Sequence, residues 1–125
     1  MNIDHLKSKK VLYVEDDEAI MKSFSRILNK VFKEVKTAMD GAEGLEVFKN
    51  NQDVSFVITD IKMPKMDGLD MAKEIKAINP NVPIILTTAH GEYDYFLRAD
   101  EIGVYRYIQK PININELLES LSEYK

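Results

Sequence analysis

The sequence predicts an α/β fold in which a parallel sheet of five strands is wound on both faces by five helices. Three observations predict it. Two runs, 54–60 (VSFVITD) and 82–88 (VPIILTT), are too uniformly apolar to keep a solvent face, the pattern of strands covered on both sides. Strand-like runs alternate with stretches of helical spacing, and such alternation implies crossover connections and hence parallel strands. The chain shows no internal repeat, low-complexity tract or linker, so 1–125 is expected to be one domain, long enough to bury a real core.

Taken in order, Lys10–Val14 (KVLYV) is a short apolar strand that runs into four acids, Glu15, Asp16, Asp17 and Glu18. From Asp17 the pattern turns helical, with Ile20, Phe24, Ile27, Leu28 and Val31 at i, i+4, i+7, i+8 and i+11. Residues 35–38 form a weaker strand, expected near an edge. Asp40 to Glu43 reads as a capping box, and Ala42, Leu45 and Phe48 supply the inner face of the helix behind it. The central strand ends in Asp60, followed by two turn signals, Met63-Pro64 and Asp67-Gly68. Gly68–Ile78 is the next helix, with Met71, Ala72, Ile75 and Ile78 expected inward. Asn79-Pro80 stops it, because the residue before a proline avoids the helical region.

The strand at 82–88 closes on two hydroxyls, Thr87 and Thr88. A short helix is expected over 93–102 with Phe96, Leu97 and Ile102 on its buried side. Residues 104–109 mix apolar and polar side chains as an edge strand does, and Lys110-Pro111 ends them. Asn113 and Glu116 look like a cap for the final helix, whose stripe is Ile114, Leu117, Leu118 and Leu121.

Composition removes several function classes. Apolar residues at 45% and charged residues at 30% are the balance of a folded globular domain rather than of a disordered chain. The net charge of −4 argues against direct binding to a phosphate backbone, which calls for a basic stripe. With no cysteine there is no disulfide, zinc-thiolate site or thiol nucleophile, which fits a cytoplasmic location. No apolar run reaches the length of a membrane span, and 11–14 is too short for a signal peptide, so no membrane association is expected.

In a parallel sheet the C-terminal strand ends share one rim, where open α/β sheets place their ligand sites. Just past the first, third, fourth and fifth strands stand Glu15 and Asp16, then Asp60, Thr88 and Lys110. Carboxylates about 4 Å apart repel by roughly 4 kcal/mol at an effective dielectric near 20, so the cluster needs counter-charge. Lys110 brings one positive charge, and Mg²⁺, a hard cation held by carboxylates together with a phosphate, fits the remainder. A carboxylate beside a cation and a lysine is poised to attack phosphorus and become an acyl phosphate, and no histidine need help because the nucleophile is already ionised at neutral pH. Each signal also has a plainer use: the acids after the first strand complement a helix dipole, and a strand-end threonine bonds its own backbone.

Together these residues resemble the receiver domain of two-component response regulators, the CheY-like family, over essentially the whole chain. VLYVEDDE resembles the family's first strand and acidic pair, and VITDIKMPKMDG its phosphoacceptor strand and loop. PIILTTAH and YIQKP resemble the strands that carry the switch hydroxyl and the lysine. The resemblance implies a flavodoxin-like sheet of order 2-1-3-4-5. It makes Asp60 the phosphorylated residue, Asp16 a direct Mg²⁺ ligand with Asp60, Glu15 a ligand through water, and the backbone carbonyl of Lys62 a further ligand. It likewise makes Thr88 the switch hydroxyl, Lys110 the phosphoryl-binding lysine, Tyr107 the switch aromatic and Lys110-Pro111 a cis bond. Lys62 and His90 would flank the phosphoryl group and modulate its lifetime. The donor would be the phosphohistidine of a sensor histidine kinase or phosphotransfer protein. The receiver would assist its own phosphorylation and dephosphorylation as a signalling phosphoprotein rather than a conventional enzyme. Phosphorylation would reshape the surface of the fourth helix, fifth strand and fifth helix.

That surface departs from one large DNA-binding subfamily, which dimerises through a pair of acids where this chain has Tyr105 and Arg106. Tyr93, Tyr95, Tyr105 and Tyr107 with Arg98 and Arg106 suggest a docking patch for a downstream protein, since tyrosine and arginine are enriched at interfaces. Two other readings compete. A flavin or nucleotide site of the same fold calls for glycines or hydroxyls after the first strand, where four acids stand, and neither GxGxxG nor a GK[ST] loop occurs. An interaction module that has lost phosphorylation would be expected to lack one of Asp60, Asp16, Thr88 or Lys110. With no output domain in 1–125, the chain is either a single-domain regulator or an excised receiver.

Overall fold

Period-two alternation along the strands builds both halves of the core at once. The computed structural model describes residues 2–89 and 91–124. The strands are β1 (Lys10–Val14), β2 (Glu34–Ala38), β3 (Phe56–Asp60), β4 (Ile84–Thr88) and β5 (Arg106–Gln109). They form one parallel sheet in the order β2-β1-β3-β4-β5, with β2 and β5 at the edges as their mixed sequences imply. Leu12, Val14, Val57, Ile84 and Leu86 leave one face, and Val11, Tyr13, Phe56, Ile58, Ile85 and Ile108 leave the other.

The helices are α1 (Glu18–Val31), α2 (Gly41–Lys49), α3 (Gly68–Ile78), α4 (Phe96–Ile102) and α5 (Ile114–Glu123). The first face is covered from α2, α3 and α4 by Leu45, Phe48, Leu69, Met71, Ala72, Ile75 and Ala99. The second is covered from α1 and α5 by Met21, Leu28, Val31, Leu117 and Leu121. Four helices begin at an acidic or amide N-cap whose side chain accepts a backbone N–H of the first turn: Asp17, Asp40, Asp67 and Asn113. At α2 the box is reciprocal, with Glu43 accepting from the N–H of Met39 at 2.8 Å. Among the described residues α4 starts without a side-chain cap; a 3₁₀ turn (Tyr93–Tyr95) leads into it, and Gly103 ends it at φ +91°.

Several expectations are corrected. Leu97 is 71% exposed, and Ala99 is the buried residue of α4. Only a narrow face of α4 meets the sheet, and Leu97, about 100° round the helix from Phe96, falls outside it. Ile78, in the last turn of α3, is exposed as well. The strands at 54–60, 82–88 and 104–109 begin two residues later than read, at Phe56, Ile84 and Arg106. A 3₁₀ turn, Asp4–Ser8, was not expected from the sequence; it seals the end of the second core half with Leu6, which is fully buried.

Candidate functional site

Each site residue sits where its strand stops. The N–H of Glu15 still bonds the Ala38 carbonyl (3.1 Å), extending the β1–β2 ladder by one rung and holding the acid at the rim. Asp60 ends β3, and its Oδ1 accepts the N–H of Ile61 at 2.8 Å. Gly68, the first residue of α3, presses against this turn: its N–H bonds the Ile61 carbonyl at 2.7 Å, and a Cβ there would lie 1.9 Å from the Asp60 carbonyl oxygen. No other residue type fits at that approach. The Lys110 N–H bonds the Thr88 carbonyl at 2.7 Å, so β4 and β5 bring hydroxyl and ammonium to the same end. The Lys110–Pro111 bond is cis.

The side chains converge. Lys110 Nζ donates to Asp60 Oδ2 at 2.9 Å and to Glu15 Oε1 at 3.3 Å. Oxygens of Glu15, Asp16 and Asp60 lie within 4.8 Å of one another, with Glu15 and Asp60 buried and Asp16 open to solvent. At that spacing each pair repels by about 3 kcal/mol or more at an effective dielectric near 20, and one ammonium cannot offset three carboxylates. Burial drives the Glu15 carboxyl above the ordinary range, against the Asp17 N–H and Lys110, which favour its charge. Burial works to lower Lys110, but the hydrogen bond and charge of Asp60, helped by Glu15, hold its ammonium above the usual lysine value. The acids also divide their work: Asp17 caps α1 through Ile20, and Glu15 Oε2 accepts the Asp17 N–H at 2.9 Å. The helix-capping use of this acidic run therefore belongs to Asp17, and Asp16 is left to face outward. Three hard oxygen donors, one of them open to solvent, suit Mg²⁺, which keeps several waters of its own.

Thr88 is buried at the end of β4, one rung past the Asp60–Thr87 pair. Beside it a cavity of about 350 Å³ is lined by Thr88, Ala89, Tyr93, Phe96, Tyr107, Gln109 and Glu116. The Tyr107 ring stacks on Phe96 with centroids 4.6 Å apart, and its hydroxyl donates to the Asp100 carboxylate. Burial and the Asp100 contact push that phenol up to about 12. Lys62 is exposed, with its ammonium 6.0 Å from the Tyr95 ring centroid. His90 lies outside the described residues.

The tyrosine and arginine patch is split. Tyr105 donates to the Ser120 carbonyl at 2.9 Å, Arg106 lies over the Tyr105 ring, and Arg106 pairs with Glu123 of α5 at 3.3 Å. Tyr93 packs edge-on against Phe96. Arg98 is not part of this surface. It turns to α3, where it meets Asp70 and, at 3.9 Å, Asp67. Two buried polar side chains near the rim were missed by the sequence reading. Glu92 accepts the N–H of Ala89, and no sequence signal marks it. Tyr13 lies two residues before Glu15, and strand alternation alone puts it on the Glu15 face.

A parallel sheet with an acidic, lysine-bridged cluster at its C-terminal rim defines a phosphoacceptor signalling domain. The family model for the response regulator receiver domain matches residues 11–122, and the chain belongs to that family. It is 34% identical over 117 residues to the transcriptional regulatory protein GlrR of Escherichia coli (strain K12), covering 94% of this chain and 26% of that protein. It is 29% identical over 119 residues to sporulation initiation phosphotransferase F of Bacillus subtilis (strain 168), covering 95% of both. Among solved structures, the N-terminal domain of an uncharacterized protein from Wolinella succinogenes matches at 39% identity and TM-score 0.86, covering 93% of each chain. A receiver domain protein from Clostridium thermocellum matches at 34% identity and TM-score 0.86, covering 91% of each. The chain thus spans about a quarter of GlrR and nearly all of phosphotransferase F. Receiver domains are signalling phosphoacceptors that work with histidine kinases or phosphotransfer proteins and with downstream targets, and they typically use Mg²⁺ at the acidic pocket. No helix among the described residues is long and apolar enough to cross a membrane.

Proposed function

We propose that Asp60 accepts a phosphoryl group from a phosphohistidine, and that Thr88 and Tyr107 report its arrival. The observation that carries this reading is the single ammonium of Lys110 shared between Asp60 and Glu15 with Asp16 open beside them. Asp60 attacks phosphorus as an ionised carboxylate: the new O–P bond forms as the P–N bond of the donor breaks, and the electron pair leaves with the imidazole. Asp16 and Asp60, with Glu15 through water and the Lys62 carbonyl, would hold Mg²⁺, which would supply counter-charge for the acids and the transferring oxygens. Lys110 follows the new phosphoryl oxygens. Thr88 donates to one of them, and Tyr107 leaves Asp100 to turn inward. The same machinery serves hydrolysis of the acyl phosphate, with Lys62 beside the water.

A groove of about 430 Å³ beside Lys110, lined by Ile20, Phe24, Ala89, Pro111 and Ile112, offers an apolar seat next to the nucleophile. We assign it to the phosphodonor protein. Its presence explains why Ile20 and Phe24 of the α1 stripe stay half-exposed. The downstream partner reads the α4–β5–α5 surface at Tyr93, Tyr95, Tyr105 and Arg106.

The test is transfer of labelled phosphate from a histidine kinase or acetyl phosphate in the presence of Mg²⁺. Wild type gains label that hydroxylamine removes, and Asp60→Asn gains none. Equal labelling of the two proteins overturns the reading.

A further inference from the structure

Under the acidic rim lies a polar group that the reaction as described does not use. Tyr13 sits in β1 two residues before Glu15, so both side chains leave the same face of the strand. It pairs across the sheet with Ile58, which stands two residues before Asp60. Tyr13 belongs to the buried cluster that includes Met21, Leu28, Ile58, Ile108 and Leu117, and it is 1% exposed. Its hydroxyl is the one fully buried side-chain polar atom with no hydrogen-bond partner among the described residues. The charges that bear on it, after burial itself, are those of Glu15, Asp60 and Asp17.

A buried O–H without an acceptor is unfavourable, and phenylalanine fills nearly the same space without that cost. The hydroxyl is therefore a donor without an acceptor in this state, on the strand face that also carries Glu15, a carboxylate whose own donors change. Glu15 Oε2 is held by the Asp17 N–H and Oε1 by Lys110. When a phosphoryl group draws Lys110 away, Oε1 of a carboxylate that is 1% exposed loses its protein donor. A donor without an acceptor and a carboxylate about to lose its lysine share one strand face.

We propose that Tyr13 is a positioning residue of the phosphorylated state, its phenol O–H donating to the Glu15 carboxylate as Lys110 turns to the phosphoryl group. It touches neither phosphorus nor the donor protein; it keeps Glu15 in place once the lysine has left. The inference rests on Asp60 being the phosphoacceptor, and its test separates the two.

Wild type and Tyr13→Phe are compared by thermal melting and by calorimetric titration, using beryllofluoride with Mg²⁺ as the acyl-phosphate mimic. Without the mimic, the variant melts at the same temperature as wild type or higher. With it, the variant gains less in melting temperature and binds beryllofluoride about tenfold more weakly, the scale of one hydrogen bond to a charged group. A purely structural role moves both states together, so equal gains and equal affinities overturn the proposal. So does a variant that fails to fold, since the hydroxyl would then be needed in the resting state. If wild type itself shows no response to the mimic, the phosphoacceptor reading falls first and the role of Tyr13 falls with it.

Discussion

Helices α3 and α4 cover the same face of the sheet side by side, yet they are held in opposite ways. α3 is eleven residues long, capped by Asp67, and anchored by Leu69, Met71, Ala72 and Ile75, all fully buried. Its first residue, Gly68, is pressed onto the backbone of Asp60. α4 has seven residues and no side-chain cap, and it buries Ala99 alone. Its other anchors are the stack of Phe96 on Tyr107, the hydroxyl of Tyr107 on Asp100, and the pairing of Arg98 with Asp70. A helix with few buried contacts opens or shifts at low free energy, and a helix packed like α3 does not. On the proposed function the contrast has a use: Asp60 is fixed from the α3 side, and the surface proposed to report phosphorylation is held less tightly on the α4 side.

Three sets of substitutions break or sharpen that contrast. The largest effect is expected from truncation within the apolar faces. Ile75→Ala should lose about 2–5 kcal/mol of unfolding free energy, as buried truncations do. Leu97→Ala should stay within about 0.5 kcal/mol, as exposed sites do. Urea denaturation measures both, and similar losses would mean that α4 is as well anchored as α3.

Next come the glycines. Gly68→Ala forces a methyl against the Asp60 carbonyl and should cost about 1–3 kcal/mol, with weaker Mg²⁺-dependent phosphorylation because the acceptor turn shifts. Gly103→Ala meets no atom within 4 Å and suffers only from its positive φ, so it should cost about 1 kcal/mol and leave phosphorylation intact. A phosphorylation assay on both variants checks whether the two helices differ in their hold on the site.

The smallest effect is expected at Arg98, which is 41% exposed at its side chain and reaches across to α3. Exposed pairs contribute about 0–1 kcal/mol, so Arg98→Ala should scarcely change the melting temperature. It should nonetheless raise hydrogen exchange in α4 while leaving α3 unchanged. Unchanged exchange in α4 would mean that this pair does not restrain the helix.

Much of the rim could be read from the chain alone, because its residues follow directly on apolar runs. Glu15, Asp60, Thr88 and Lys110 were legible as strand-end residues, and Asp40 was legible as a cap from the Glu43 three places on. Leu97 was misread because a seven-residue helix offers two turns of pattern, and adjacent apolar residues leave its inner face undecided. Arg98 was misplaced because its partners, Asp67 and Asp70, lie on another helix and carry no local mark. Tyr13 was passed over because a tyrosine in an apolar strand looks like ordinary core until its hydroxyl is seen to lack a partner.

By itself the sequence determined the order of the strands and α-helices, the caps that start two of those helices at Asp40 and Asn113, and the gathering of acids, hydroxyl and lysine at one end of the sheet. These depend on spacing within a few residues and on the fact that parallel strands all point one way. Only the tertiary structure decided that Lys110 bridges Asp60 and Glu15, which stand 50 and 95 residues away from it. It also decided that Arg98 serves α3 and that the hydroxyl of Tyr13 is buried without an acceptor. Such contacts are set by strand register and side-chain packing between distant segments, which no local pattern encodes.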